Sequence, residues 1–246
     1  MNAAYQRGKE LMESGKNAAA LVALEEAMRQ DPNHFKAAFS AGLVLQRLEK
    51  YEEAIAAFSK VMEIQPRIPQ AHYSRALCLH KLRRYEEALT DLDIALDLDP
   101  GYIDALYARG MNLKGLERYD EALEAYEIVL GKSGGKYPPA SHGRATLRHM
   151  TGDYEGAISD FTVCIANGLD RDDVRFLRGL AYYRTGRFAE ARDDLAAAIA
   201  LNPRHGSAYA HRGLLLCKLG EQELGKQDLE RSKELLGSVP RIKNEE

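Results

Sequence analysis

The sequence predicts an all-α fold, a solenoid of antiparallel helix pairs, and three observations support this prediction. A tyrosine or phenylalanine followed three residues later by alanine recurs at nearly constant spacing. Prolines follow at matching places in most of these periods. Apolar residues between the two signals recur at helical spacing, as Ala88, Leu92 and Ala95 do. A fixed period with helical patterning indicates a tandem array of one supersecondary unit.

The aromatic pattern begins at five places that are 34, 34, 35 and 34 residues apart. Extending this frame in both directions gives seven repeats that fill residues 1–239, followed by a short polar tail at 240–246. The pattern begins at Tyr51, Tyr85, Tyr119, Tyr154 and Phe188. The repeats are 1–34, 35–68, 69–102, 103–137, 138–171, 172–205 and 206–239.

Each repeat is predicted to contain two helices joined by a short polar turn. Proline disfavours a helical residue before it, so we expect the second helix to end just before Pro32, Pro66, Pro100 and Pro203. One helix pair cannot bury its apolar face alone, and neighbouring pairs must therefore stack into a solenoid.

Two positions in every repeat carry small residues, which allow the paired helices to cross closely. Position 8 reads Gly8, Gly42, Ala76, Gly110, Ala145, Gly179 and Gly213. Position 20 reads Ala20, Ala54, Ala88, Ala122, Ala157, Ala191 and Gly225. With the period, these positions resemble the tetratricopeptide repeat family over residues 1–239. The resemblance implies a right-handed α-solenoid, with a concave groove lined by the first helix of each pair.

Composition excludes several function classes. The formal net charge of −3 provides no global field that would recruit nucleic acid, so we expect no nucleic-acid partner. No apolar stretch is long enough to insert in a membrane, and the N-terminus does not resemble a secretory signal. We therefore expect a cytoplasmic protein. Cys78, Cys164 and Cys217 are expected to be buried thiols.

No catalytic motif, cofactor site or metal site is predicted. His142 and His149 lie seven residues apart on one predicted helix, with His80 elsewhere, but no cluster of carboxylates or thiols accompanies them. No serine, threonine or cysteine lies in a motif that marks a nucleophile. We therefore expect that the chain is not an enzyme.

Arginine occupies position 7 in six of the seven repeats, and four of those repeats also have aspartate at position 23. This co-occurrence predicts a partly buried ion pair between the two helices of a repeat or between neighbouring repeats. The alternative is that the arginines bind a ligand directly. The four pairs are Arg75 with Asp91, Arg144 with Asp160, Arg178 with Asp194, and Arg212 with Asp228.

The regular pattern breaks between the fourth and fifth repeats. Residues 131–139 contain one extra residue and three glycines, with no proline at the usual place. We expect these glycines to interrupt the helix end and to form a looser joint between repeats 1–4 and 5–7. The fifth repeat is also the poorest match, with Ser141 and Arg148 where large apolar residues are expected.

The resemblance places position 5 in the groove, where most repeats carry an aromatic residue that offers rigid contact area. The open alternative is that these rings pack on the next repeat. Basic residues outnumber acidic ones at the groove positions, whereas the second helices of repeats 1–4 are strongly acidic. The candidate peptide-binding residues are Tyr5, Phe39, Arg47, Tyr73, Lys81, Tyr107, Lys114, Phe176 and Arg184.

The sequence thus predicts a non-catalytic scaffold that binds a protein or an extended, acidic and partly apolar peptide in its concave groove. The alternative function is a structural subunit that docks into a larger complex through its convex face or its ends. The sequence leaves the partner and the oligomeric state open.

Overall fold

The computed structural model describes residues 2–237, and all regular secondary structure within them is helical. Fourteen helices occur there, two in each of the seven predicted repeats. The tail at 240–246 and residues 238–239 of the last repeat lie outside the described residues. The helices are α1 (Ala3–Glu13), α2 (Asn17–Gln30), α3 (Phe35–Arg47), α4 (Tyr51–Ile64), α5 (Pro69–Lys81), α6 (Tyr85–Leu98), α7 (Ile103–Gly115), α8 (Tyr119–Lys132), α9 (Pro138–Thr151), α10 (Tyr154–Ala166), α11 (Asp172–Arg184), α12 (Phe188–Leu201), α13 (Gly206–Lys218) and α14 (Gln222–Leu236).

The prolines end the second helices as predicted. Helices α2, α4 and α6 stop two residues before their prolines, and the intervening C-cap residues leave the helical conformation. Asp31 and Asp99 are extended there, with ψ angles of 96° and 91°. A residue before proline is driven towards this extended region, so the repeat boundary is set by local sterics.

The helices fall into two compact units, the first up to Val129 and the second from Leu130. Unit 1 contains α1–α7 and most of α8, and its largest fully buried side chains include Phe58 and Tyr126. Unit 2 contains α9–α14 and is packed around Phe161 and Leu195, both fully buried. Each unit therefore has its own apolar core.

Within a pair, the small residue at position 8 lies against a large residue of the second helix. A Cβ atom added at Gly42 would lie 2.6 Å from the Phe58 ring, and one added at Gly110 would lie 2.6 Å from the Tyr126 ring. Real Cβ atoms do not approach other atoms so closely, so these two positions require glycine while the rings remain in place. The close crossing predicted from the small residues is thus present.

The first helices of unit 1 gather on one side. Helix α1 touches α3, α3 touches α5, and α5 touches α7, whereas the successive second helices α2, α4 and α6 make no comparable contact with each other. The first helices therefore line the inner side of unit 1. We call the surface formed by α1, α3, α5 and α7 the first-helix face.

The irregular segment between α8 and α9 is shorter than the sequence predicts. Helix α8 continues through Gly131 to Lys132, so the glycines do not interrupt it as early as predicted. Proline at the first positions of α9 is compatible with a helix start, because the missing N–H would have no intrahelical partner there. Only residues 133–137 lie outside the two helices, and Gly134 and Gly135 adopt positive φ angles.

Residues 133–137 remain the predicted weak point of the chain. We expect limited trypsin digestion to make its first cut within residues 2–237 after Lys132 or Lys136, because both are exposed and flank backbone with few helical hydrogen bonds. Mass spectrometry of the fragments measures the site. A Lys132→Gln/Lys136→Gln variant should delay loss of the intact chain. First cuts at the turn residues Arg83 or Arg187 would contradict the prediction.

Candidate functional site

The predicted ion pairs between positions 7 and 23 are present. The Nε and Nη2 atoms of Arg75 donate to the two carboxylate oxygens of Asp91 at 2.7 Å each. The same atoms of Arg178 donate to Asp194 at 2.6 and 2.8 Å. Two-point contacts of this kind fix orientation as well as distance. The pairs Arg144 with Asp160 and Arg212 with Asp228 have the same geometry.

The same arginines also connect consecutive repeats. Arg75 donates through Nη1 to the Ser59 hydroxyl at 2.8 Å, and Arg178 donates to the Thr162 hydroxyl at 2.9 Å. Both hydroxyls belong to the second helix of the preceding repeat. Each guanidinium therefore fixes the helix crossing and the stacking register together, which favours the structural interpretation over direct ligand binding.

The aspartates have further partners that the sequence analysis did not identify. The His72 ring lies 3.5 Å from Asp91, Arg175 donates to Asp194 at 3.1 Å, and Arg148 donates to Asp160 at 2.9 Å. Arg148 stands at a position of the fifth repeat where a large apolar residue is expected, and it bonds there to the aspartate of that repeat's ion pair. His72 and Arg175 share position 4 of their repeats and lie 19 residues before their aspartates, which is a periodic signal, whereas Arg148 lies only 12 residues before Asp160.

The Asp91 carboxylate stays charged although it is buried. Burial alone would raise the pKa of Asp91, but hydrogen bonds from Arg75 and His72 outweigh burial and lower that pKa below its ordinary value. A lowered pKa in the folded state stabilises the fold at neutral pH, and the stabilisation is lost as the pH falls through the folded-state pKa. The pairs therefore have a structural role.

The position-5 rings are all half-buried, and each packs on a neighbouring ring while keeping part of its surface open. Three stack on a residue at the end of their own repeat: Tyr5 on His34 at 4.7 Å between ring centroids, Tyr73 on Tyr102 at 4.9 Å, and Phe176 on His205 at 4.7 Å. The other two aromatic rings in the candidate set pack on their second helix: Phe39 on Phe58 at 5.5 Å and Tyr107 on Tyr126 at 5.8 Å. These contacts lie within a ring's own repeat, contrary to the expected packing on the next repeat, although Phe176 also contacts the His211 ring of the following repeat. Contact with a ligand in the groove stays a prediction.

The basic groove residues of unit 1 differ from three cations at the turns of that unit. At the turns, Lys50 pairs with Glu53, Arg84 with Glu87, and Arg118 with Glu121, all within 3 Å. Among residues 2–237, no carboxylate lies within ion-pair distance of the basic groove residues in unit 1. These residues are Lys9, Lys36, Arg47, Lys81 and Lys114.

The first helices of unit 2 carry a different mixture of groups. The Arg184 guanidinium lies 6.0 Å above the Tyr154 ring, and Lys218 lies 4.6 Å above the Phe188 ring. Burial lowers the pKa values of His149 and His211, so both are mainly neutral at pH 7. Arg184 and Lys218 on the first helices of unit 2 thus contact aromatic rings of the protein itself. We therefore centre the candidate site on unit 1.

Two cysteines are buried as expected, and one differs. Burial raises the pKa values of Cys78 and Cys164 to about 11, so their thiols are protonated and unreactive near pH 7. Cys217 is only partly buried, contrary to the expectation, because it lies near the end of α13.

No helix in residues 2–237 is both long and apolar enough to span a membrane.

The chain is similar to repeat families along much of its length. Residues 107–167 and 173–205 each match a family described as tetratricopeptide repeat, and residues 13–95 match anaphase-promoting complex, cyclosome, subunit 3. RNA polymerase II-associated protein 3 from Xenopus laevis is 34% identical over 99 residues, and its human counterpart is 36% identical over 88 residues. These matches cover 39% and 34% of this chain but only 14% and 13% of the relatives.

Solved structures with the same fold cover most of the chain. A tetratricopeptide repeat protein from Parabacteroides merdae superposes with a TM-score of 0.71 and 22% identity, over 95% of this chain and 92% of that one. The type IV pilus biogenesis factor PilW gives 0.72 and 21%, over 82% and 93%. YrrB, a TPR protein with an unusual peptide-binding site, gives 0.65 and 22%, over 74% and 93%. At these identities the likeness establishes the fold alone.

The pair Arg212–Asp228 gives the simplest test of the ion pairs, because Asp228 has no second cation within the described residues. We expect Asp228→Ala to lower the free energy of unfolding by about 1–3 kcal/mol, since it leaves a half-buried guanidinium without its carboxylate. Arg212→Met/Asp228→Leu should cost less. Urea unfolding followed by circular dichroism measures both.

The matched control is Asp193→Ala, which removes an exposed neighbouring carboxylate and should change the free energy of unfolding by less than about 0.5 kcal/mol. A double variant at least as unstable as Asp228→Ala would show that the arginine does not depend on its partner.

Proposed function

Because the chain belongs to the tetratricopeptide repeat family, whose fold serves as a scaffold for protein interactions, we propose that it binds an extended acidic peptide segment of a partner protein. The first-helix face of unit 1 is the proposed binding surface. Its residues in this role are Phe39, Tyr73 and Tyr107 as apolar contacts, with Arg47, Lys81 and Lys114 as the cations.

The observation that carries this proposal is the difference between two sets of cations in unit 1. At the turns Lys50, Arg84 and Arg118 are neutralised by neighbouring glutamates, whereas the basic groove residues have no carboxylate partner in the described part of the chain. The turn residues Lys16, Arg67 and Arg83 also lack such a partner there, so the contrast holds for these three turn pairs and not for every turn. Unpaired like charges on one surface repel each other and attract an anion. A peptide with several carboxylates would supply the missing partners.

The rings add contact area to this charge. Their outer edges are open while their inner edges are held by His34, Phe58, Tyr102 and Tyr126, so they lose little conformational freedom on binding. Long-range attraction should therefore govern association, and ring contacts should govern dissociation. The described peptide-binding site of the similar protein YrrB makes a peptide the first ligand class to test.

A second candidate function is docking through the second helices, favoured by two equivalent crevices on that side. One lies beside Arg75 and Asp91 in unit 1, and the other beside Arg212 and Asp228 in unit 2. The charged residues that line both crevices already form ion pairs with each other. They therefore leave fewer unpaired charges for a partner than the first-helix face does.

Selection of peptides from a random displayed library on the immobilised chain would separate the two functions. We expect the selected peptides to be enriched in aspartate and glutamate together with aromatic residues. In fluorescence anisotropy, Lys81→Glu/Lys114→Glu should weaken their binding at least about tenfold, slow association and reduce its dependence on salt. Tyr73→Ala should mainly speed dissociation.

Lys60→Glu is the matched control, because Lys60 is an exposed cation on second helix α4. It should leave the dissociation constant within about twofold, as expected for an exposed residue outside the binding surface. Loss of binding with Lys60→Glu but not with the first-helix variants would instead support docking through the second helices.

A further inference from the structure

A hollow of about 240 Å³ opens on the first-helix face between α1, α3 and the start of α5. Pockets that hold whole drug-sized ligands measure roughly 300–1,000 Å³, so this hollow fits a single large side chain. Its floor is apolar, and its rim is polar. Tyr5, Phe39, Ser40 and Ile68 line its interior, with Lys36 and Gln70 at the rim.

The hollow lies where the pattern of ring stacking is interrupted. In repeats 1, 3 and 6 the position-5 ring is covered by the last residue of the repeat, as Tyr73 is by Tyr102. In repeat 2 that last residue is Ile68, which has no ring and forms no side-chain cap. The Phe39 ring thus lacks the partner that the equivalent rings have, and the hollow occupies the corresponding space.

A polar group also lines this hollow. The Ser40 residue is only 9% exposed, but its hydroxyl is not among the buried polar atoms without a partner, and it makes no hydrogen bond to the described residues. Several threonines of other helices donate to the carbonyl four residues earlier, as Thr146 does to His142, whereas Ser40 has no such bond within the described residues. This hydroxyl is therefore open to solvent, and a ligand with a polar backbone group at this depth would bond to it in place of water.

The charge at the rim of the hollow determines which ligand residues are favoured on either side of the side chain that enters it. Lys36 is exposed, lies 5.9 Å from the Phe35 ring and has no carboxylate partner among residues 2–237. No acidic side chain lines the hollow. An aromatic residue that enters the hollow would therefore be favoured if acidic residues flank it.

We propose that this hollow is a specificity pocket for one aromatic side chain, flanked by acidic residues, within an internal segment of a partner protein. The ligand ring stacks on Phe39 in the place that His34, Tyr102 and His205 fill in other repeats. Ser40 bonds to the ligand backbone, and Lys36 pairs with the neighbouring carboxylate. This inference rests on the proposed function and names the residue by which the partner is recognised.

The test uses the full chain and a peptide that carries fluorescein on its N-terminal amine, fluoresceinyl-Gly-Asp-Glu-Phe-Glu-Asp-Gly-amide. Fluorescence anisotropy should show saturable binding that weakens at least about tenfold when alanine replaces the phenylalanine, and about two- to tenfold when cyclohexylalanine does. Amidation removes the terminal carboxylate, so binding of this peptide reports an internal segment.

The most informative protein variant is Ile68→His, which installs the ring that repeats 1 and 6 carry. His34 and His205 each accept a hydrogen bond from the backbone N–H three residues later, so the variant should cap α5 and remain as thermally stable as the wild type. It should weaken binding of the phenylalanine peptide at least about tenfold and leave the alanine peptide unaffected. Lys36→Glu should weaken both peptides.

Lys16→Glu is the matched control for charge, because Lys16 is exposed at the opposite end of α1 from Tyr5. Equal affinities for the phenylalanine and alanine peptides, with both lost in Lys81→Glu, would overturn the pocket and leave the proposed function standing. A free C-terminal phenylalanine that binds more tightly than the internal one would also overturn it, as would unimpaired binding by a folded Ile68→His variant.

Discussion

The close crossing of the two helices in each repeat is the constraint on which the rest of the structure depends. At Gly42 and Gly110 there is no room for even a methyl group beside Phe58 and Tyr126. The crossing fixes which residues of the first helix face the second and which remain on the open side. The position-5 rings and the unpaired cations therefore recur in register along unit 1. A side chain at either glycine would displace the ring that supports Phe39 or Tyr107.

The ion pairs add a second level of order to this crossing. Apolar contacts between small and large residues allow some sliding, whereas a guanidinium bonded to an aspartate of its own repeat and a hydroxyl of the preceding repeat does not. Repeat proteins derive their stability from each pair and from contacts with its neighbours. Arg75 and Arg178 contribute to both at once, which explains why arginine is used at a position inside the stack.

Much of the fold could be predicted from the sequence because its determinants are periodic. The helix pairs, their ends before Pro32 and Pro100, and the pairing of Arg178 with Asp194 all follow from residues that recur at fixed spacing. The candidate site was less predictable. The stacking of Tyr5 on His34 and the absence of a ring at Ile68 depend on one variable position, the last of each repeat. The pairing of Arg84 with a glutamate three residues later does recur with the repeat, whereas the lack of a partner for Lys81 follows only from the three-dimensional structure. The extension of α8 to Lys132 shows that glycine weakens a helix end without forbidding it.

The proposed function depends on an acidic ligand that lies on the first-helix face of unit 1. Lysine acetylation followed by mass spectrometry, with and without an acidic peptide selected from the displayed library, tests this placement because every lysine reports separately. The peptide should protect Lys36, Lys81 and Lys114 and leave the modification of Lys50 and Lys60 unchanged. Protection of Lys50 and Lys60 with unchanged modification of Lys36, Lys81 and Lys114 would contradict this placement.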